Sequence, residues 1–183
     1  MKKLIIMVAL MLTLTSCGGN TEQQKPAGTE APAEQTETTE ATEAAKKEKK
    51  EYGIGETWDA DGKFNLTITD VKTTEGRNEF DESNPAEVVI ITYSYENIGF
   101  ESEIQDLFLV PDKVIDESGS MAKSYPAVED LNYAQETPPG AKMDNAQEAF
   151  GLNNESKNIK AIFEIYDDEG NKYKATFNVP VNK

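Results

Sequence analysis

The sequence predicts an all-β fold, an antiparallel sandwich over residues 52–183, preceded by a polar tether and an N-terminal apolar segment. Three observations predict it. All seven Phe and all seven Tyr lie at or beyond Tyr52, as does the single Trp58, so the side chains able to build a core are confined to that stretch. Within it, apolar residues recur with a period of two rather than 3.6. Turn-forming clusters interrupt the pattern about every ten residues, as they do in sandwiches.

The N-terminus reads as a leader. Lys2 and Lys3 precede LIIMVALMLTL (Leu4 to Leu14). As a helix this run spans roughly 16 Å against a hydrocarbon core of roughly 30 Å, the size of a signal-peptide h-region rather than a spanning helix. An ordinary secretory signal would end in small residues alone. Here Leu14-Thr15-Ser16 lead into Cys17, the only cysteine of the chain, and this order resembles the lipobox of bacterial lipoproteins. Small residues admit a signal peptidase, and the thiol accepts a diacylglyceryl group. Each buried methylene of the added chains contributes about 0.8 kcal/mol, and two chains hold where one is marginal. The expected division is a signal peptide over 1–16, a lipidated Cys17 with a disordered linker over 17–51, and the folded domain over 52–183.

The linker has no aromatic residue and no aliphatic side chain larger than alanine beyond Cys17, so it cannot bury enough apolar surface to offset its ordering entropy. Its r.m.s. reach is roughly 30–35 Å by flexible-chain scaling. The island Lys46-Lys47-Glu48-Lys49-Lys50 reads as a solvated charge cluster, with contact to anionic lipid or wall polymer as the alternative.

In the domain, Phe64, Leu66 and Ile68 alternate in KFNLTITDVK, the mark of a strand with one buried face. AEVVIITYSYEN is β-branched and aromatic on both faces, as a central strand should be. DLFLV (Asp106 to Val110), KVIDE and MAKSY are shorter candidates, separated by Pro111-Asp112 and Ser118-Gly119. Ala161, Phe163 and Ile165 share a face of NIKAIFEIY, and Tyr173, Ala175, Phe177 and Val179 share one in the last strand. DDEGN (Asp167 to Asn171) joins these two as a hairpin turn. VEDLNYAQ and AKMDNAQEAF are the two stretches compatible with helix, and the second is read as a strand.

Several of these pieces in order, IGETW (Ile54 to Trp58), KFNLTITDVKTTEG, VVIITYSYENIG ending in Asn97-Ile98-Gly99, and TPPGAK before the next strand, resemble a family of mainly Gram-positive bacterial lipoproteins and secreted proteins. Their C-terminal domain of unknown function is an immunoglobulin-like sandwich, related in fold to a secreted mycobacterial antigen. The resemblance covers roughly residues 53–179 and implies that fold and a surface location, without an activity or catalytic residues. Asp144 to Glu148 are polar where such relatives continue with glycine and apolar alternation, which leaves the pairing of that strand open.

The chain has 34 acidic and 18 basic residues, a formal charge of −16, and no histidine. Phosphate backbones repel such a chain, so no nucleic-acid partner is expected. Ser–His and Cys–His mechanisms and His-ligated metals are excluded. One cysteine permits no internal disulfide. No serine has a context suggesting a nucleophile, and the 26 carboxylates of 52–183 read as surface charge, so no catalytic residue, cofactor or metal ligand is assigned and the chain is not expected to be an enzyme. A hydrolase would need a buried carboxylate pair with separated pKa values. Acidic turns at Asp59–Gly62, Glu79–Ser83, Asp116–Ser120 and Asp167–Gly170 suit calcium in type, but none has EF-hand spacing and all are good turn chemistry. The sequons at Asn65 and Asn154 read as coincidental behind a bacterial lipobox. Tyr93 and Tyr95 are expected in the core; Trp58, Tyr125 and Tyr133 lie near loops, where packing is expected ahead of partner contact.

The expectation is therefore a monomeric, lipid-anchored protein on the extracytoplasmic face of the membrane, displaying an immunoglobulin-like binding module for an envelope protein or wall polymer. The alternative is a binding protein for a small ligand or calcium that uses the acidic loops.

Overall fold

The computed structural model describes residues 51–183; the expected signal peptide, Cys17 and the linker before residue 51 lie outside the described residues. Nine strands follow in order: β1 Glu51–Tyr52, β2 Thr57–Asp59, β3 Phe64–Thr74, β4 Glu87–Asn97, β5 Lys113–Ile115, β6 Lys123–Ser124, β7 Lys142–Leu152, β8 Asn158–Tyr166 and β9 Lys172–Pro180. They form two sheets, ordered β2-β3-β4-β7-β6 and β1-β9-β8-β5. With β3, β4, β7 and β6 as strands A, B, E and D, and β5, β8 and β9 as C, F and G, this is the arrangement of a constant-type immunoglobulin domain. The short β1 lies parallel to β9.

The alternation seen in the sequence decides which faces meet. Phe64, Leu66 and Ile68 of β3, Val89, Ile91, Tyr93 and Tyr95 of β4, Ile159, Ala161 and Phe163 of β8, and Ala175, Phe177 and Val179 of β9 pack into one core between the sheets. A register shift after Ile68 returns Val71 to the same face. Trp58 meets Phe64 edge-on at 5.1 Å, and Tyr93 meets Phe163 at 5.3 Å, the geometry that aromatic quadrupoles favour.

β4 is buried on both sides. Its outward Val88 and Ile90, with Ala149, are covered by Tyr125 and Leu131 in a second, smaller core. This explains why VEDLNYAQ is irregular rather than helical. Leu131 is drawn onto the outer face of the sheet, and the β7 edge takes up the following backbone: Gln147 N–H donates to Asn132 O at 2.7 Å, and the Asn132 amide donates to Asp144 O and Asn145 O.

AKMDNAQEAF is a strand, as read. Its polar middle holds a bulge at Asn145, which adopts φ 53° and donates its N–H to Ser94 Oγ at 3.0 Å. Asn is among the few residues that enter this region readily. The bulge shifts the frame by one residue, so Met143 precedes it on the core side and Ala146, Phe150 and Leu152 follow it there. DLFLV is not a strand. Leu107 and Leu109 are buried in the core, yet the backbone makes only an isolated bridge from Leu107 to Thr137. The segment thus supplies side chains to the sandwich without joining either sheet.

Candidate functional site

The end of the sandwich where β4 stops and β8 turns into β9 carries two adjoining hollows on a hydrogen-bonded loop frame. In the immunoglobulin frame it is formed by the B–C and F–G loops, the end that variable domains use for antigen. Asn97 starts it. Fully buried, its side chain accepts from Phe100 N–H at 2.8 Å and donates to Phe100 O and Thr137 O. Its backbone joins the Pro138–Ala141 turn: Gly140 N–H donates to Asn97 O at 2.7 Å. That turn needs φ 81° at Gly140, a conformation glycine adopts without cost. The Asn97-Ile98-Gly99 signal is therefore an anchor for the loop, not only a turn.

Phe100 then turns inward onto Phe64 and Tyr173, at 5.9 and 6.4 Å. Beyond it the loop is pinned from the hairpin. Asp168 accepts from Ser102 Oγ at 2.7 Å and from Glu103 N–H at 2.6 Å, and Ile104 N–H donates to Ser102 Oγ. The hairpin is itself closed by Asp167, which accepts from the backbone N–H groups of Glu169 and Asn171, the Asn171 amide and the Tyr173 hydroxyl. The donation from Asn171 leads the interactions that hold the Asp167 carboxyl below its ordinary value, and burial opposes it. The Tyr173 phenol is raised, by burial first and then by Asp167.

Two adjoining hollows open on this frame. One, of 530 Å³, lies among Lys63, Glu101, Glu169, Asn171 and Tyr173. The other, of 590 Å³, lies among Ile104, Gln105, Ile165 and Tyr166. Phe100, Ser102, Glu103, Asp167 and Asp168 line both. Ile104 is 86% exposed and Tyr166 53%, so an aliphatic and an aromatic side chain stand in solvent on a backbone fixed by hydrogen bonds. The Lys172 ammonium lies 5.3 Å from the Tyr166 ring centroid. It pairs with Glu164 at 2.7 Å, whose carboxyl is held down to about 2 by Lys172, Lys174 and Tyr166.

The four acidic turns divide between the ends. Asp59–Gly62 and Asp167–Gly170 reach this end; Glu79–Ser83 and Asp116–Ser120 lie at the other. In each, a carboxylate turns back on its own loop. Asp59 accepts from Gly62 N–H at 2.7 Å, and Asp81 from the N–H and hydroxyl of Ser83. Asp116, buried, accepts from Ser118 N–H and Oγ, Ser120 N–H and the Asn154 amide. Among the described residues no three His, Cys, Asp or Glu side chains are grouped closely enough to hold a metal ion. Trp58 and Tyr125 are buried, whereas Tyr133 is half exposed.

Sequence reasoning missed this site. The Asp167–Gly170 turn was visible, but Asp168 meets Ser102 and Glu103 from 66 and 65 residues away. Ile104, a lone aliphatic in a polar stretch, was the one local signal.

Comparison with known proteins supports the architecture. No protein-family model matches the chain, and no curated protein matches it. Among solved structures, the YjhA protein of Bacillus subtilis superposes with a TM-score of 0.51 at 16% identity, over 72% of this chain and 99% of that one. A secreted protein of Mycobacterium tuberculosis, MPT63, superposes with a TM-score of 0.43 at 11% identity, over 72% and 97%. At that identity the likeness to YjhA is one of fold alone.

Proposed function

We propose that this chain is a bacterial lipoprotein, anchored by Cys17 to the extracytoplasmic face of the membrane, whose immunoglobulin-like domain is a binding module that works through the end formed by the β4–β5 loop and the β8–β9 hairpin. The anchor rests on the order of charged segment, apolar run and lipobox ending in the only cysteine, and the resemblance to Gram-positive lipoproteins agrees with it. The binding role rests on one observation: Ile104 is exposed on a loop whose backbone Asp168 fixes. An apolar side chain on a backbone already fixed loses only its own rotamer freedom when a partner covers it. The tether gives the domain reach above the membrane, and no residue is asked to do chemistry.

Two measurements on cells making the full chain test the two halves. Fractionation should place the chain with membranes, with a diacylglyceryl mass on residue 17, and Cys17→Ser should release it. An unmodified cysteine in a soluble chain would overturn the anchor. A photoreactive amino acid at position 104 should give a discrete adduct with an envelope component, and one at Val128, exposed at the opposite end, should not. Equal labelling from both positions would remove the site.

A further inference from the structure

The described domain has 27 acidic and 11 basic residues, and its counter-ions are unevenly placed. Four of its seven ion pairs, Lys113–Asp112, Lys160–Glu51, Lys172–Glu164 and Lys174–Glu164, belong to the β1-β9-β8-β5 sheet and its margin. At the loop end Lys172 and Lys174 are taken up by Glu164, with Lys172 also over the Tyr166 ring, and the loop carboxylates that line the hollows have no such partner. Glu101, Glu103 and Glu169 line the hollows with no ion-pair partner among the described residues. The nearby Lys63 directs its ammonium to a backbone oxygen, that of Gly99. Glu103 thus borders both hollows without a counter-ion, and Glu101 and Glu169 border the one adjoining the apolar hollow that offers Ile104, Ile165 and the Tyr166 ring.

We propose that this hollow takes a cationic peptide segment, one aliphatic or aromatic side chain flanked by Lys or Arg. The apolar side chain would cover Ile104 and Tyr166, and the flanking cations would meet Glu101, Glu103 and Glu169. This rests on the reading of the domain as a binding module and adds the chemistry of its partner. Other occupants fit less well. An anionic wall polymer or a second copy of this domain would bring like charge to the rim, and like-charge juxtaposition suppresses association. A metal ion would leave the apolar hollow unused. The rim charges would act mainly on the rate of encounter and the apolar contact on the lifetime of the complex.

The test uses the full chain in phosphatidylcholine nanodiscs, with empty discs as a blank, and a fluorescent Lys-Arg-Phe-Lys peptide followed by anisotropy. A Lys-Arg-Ser-Lys peptide should bind about tenfold more weakly, and Ile104→Ser should weaken the Phe peptide by about as much. Glu101→Gln with Glu103→Gln should cost about fivefold, mostly in association rate and less at high salt. Glu79→Gln with Val128→Ser, at the other end, should change nothing. Equal binding of the Phe and Ser peptides, or binding indifferent to Ile104, would mean diffuse charge attraction and overturn the proposal. A Gln-Gln-Phe-Gln peptide and a glycerol-phosphate polymer separate the two levels of the argument. If either binds in an Ile104-dependent way while the cationic peptide does not, the partner chemistry falls and the binding module stands. If no probe depends on Ile104, both fall.

Discussion

Glu148 stands on the core-facing side of β7, alternating with Ala146 and Phe150 and in register with the buried Ile91. Burial raises its carboxyl above the ordinary value of 4.5, and an N–H donated by Ala134 only partly offsets this. Its charge also bears on the buried phenols, helping to raise Tyr93 and Tyr95, for which burial is the main cause. Between pH 4.5 and the folded value, the folded state keeps a proton that the unfolded chain releases. Stability therefore falls as pH rises through that window, and the loss persists at pH 7. Glu148→Gln keeps an acceptor for Ala134 and removes the charge, so it should stabilise the domain at pH 7 by about 0.5–1 kcal/mol, discounted for partial exposure. In thermal unfolding that is a rise of about 2–4 °C, which should vanish near pH 4. A glutamine variant no more stable than the parent at pH 7 would contradict the assignment.

At the scale of elements, the β8–β9 hairpin acts as a clamp on the loop after β4, and Asp168 is the clamp. Asp168→Ala should leave the sandwich folded but release residues 102–104. In hydrogen exchange the Glu103 amide should lose protection by about tenfold while amides of β8 and β9 keep theirs, because local opening is distinct from global unfolding. Unchanged exchange at Glu103 would show that the loop holds its shape without the carboxylate. Asp168→Asn, which keeps an acceptor, should lie between. These long-range ties set the limit of what could be read from the chain. β8, β9 and the first half of β3 were legible because each alternates against one core. β4 was legible because apolar residues on both faces mean cover on both faces, although the sequence did not say that Tyr125 and Leu131 provide it. β7 was ambiguous because the Asn145 bulge breaks the period, so neither 2 nor 3.6 fits across it. DLFLV imitated a strand because burial of Leu107 and Leu109 needs alternation but not ladder bonds. The candidate site was nearly invisible, since its geometry depends on Asn97 and Asp168 meeting residues far along the chain or buried by them.

For the whole molecule, the domain's 27 acidic and 11 basic residues account for all of the chain's net −16. Among the described residues seven ion pairs are formed, and most of their members are substantially exposed; exposed pairs contribute little. Self-repulsion, reduced in the expanded unfolded chain, should therefore outweigh them. Raising NaCl from about 0.01 M to about 0.1 M shortens the screening length from roughly 30 Å to roughly 10 Å, which weakens the many longer-range repulsions more than the few contact pairs. The melting temperature should rise, and at matched ionic strength calcium should raise it no more than magnesium. Asp116 and Asp167, the most fully engaged of the acidic-turn carboxylates, already accept hydrogen bonds from their own loops and from Asn154 and Tyr173 respectively, and a cation would have to break those bonds to bind there. A melting temperature that falls with salt would mean the ion pairs dominate after all. A rise specific to calcium would mean a ligand bound to the folded form, and the acidic turns would then displace the loop-end hollow as the first place to look for function.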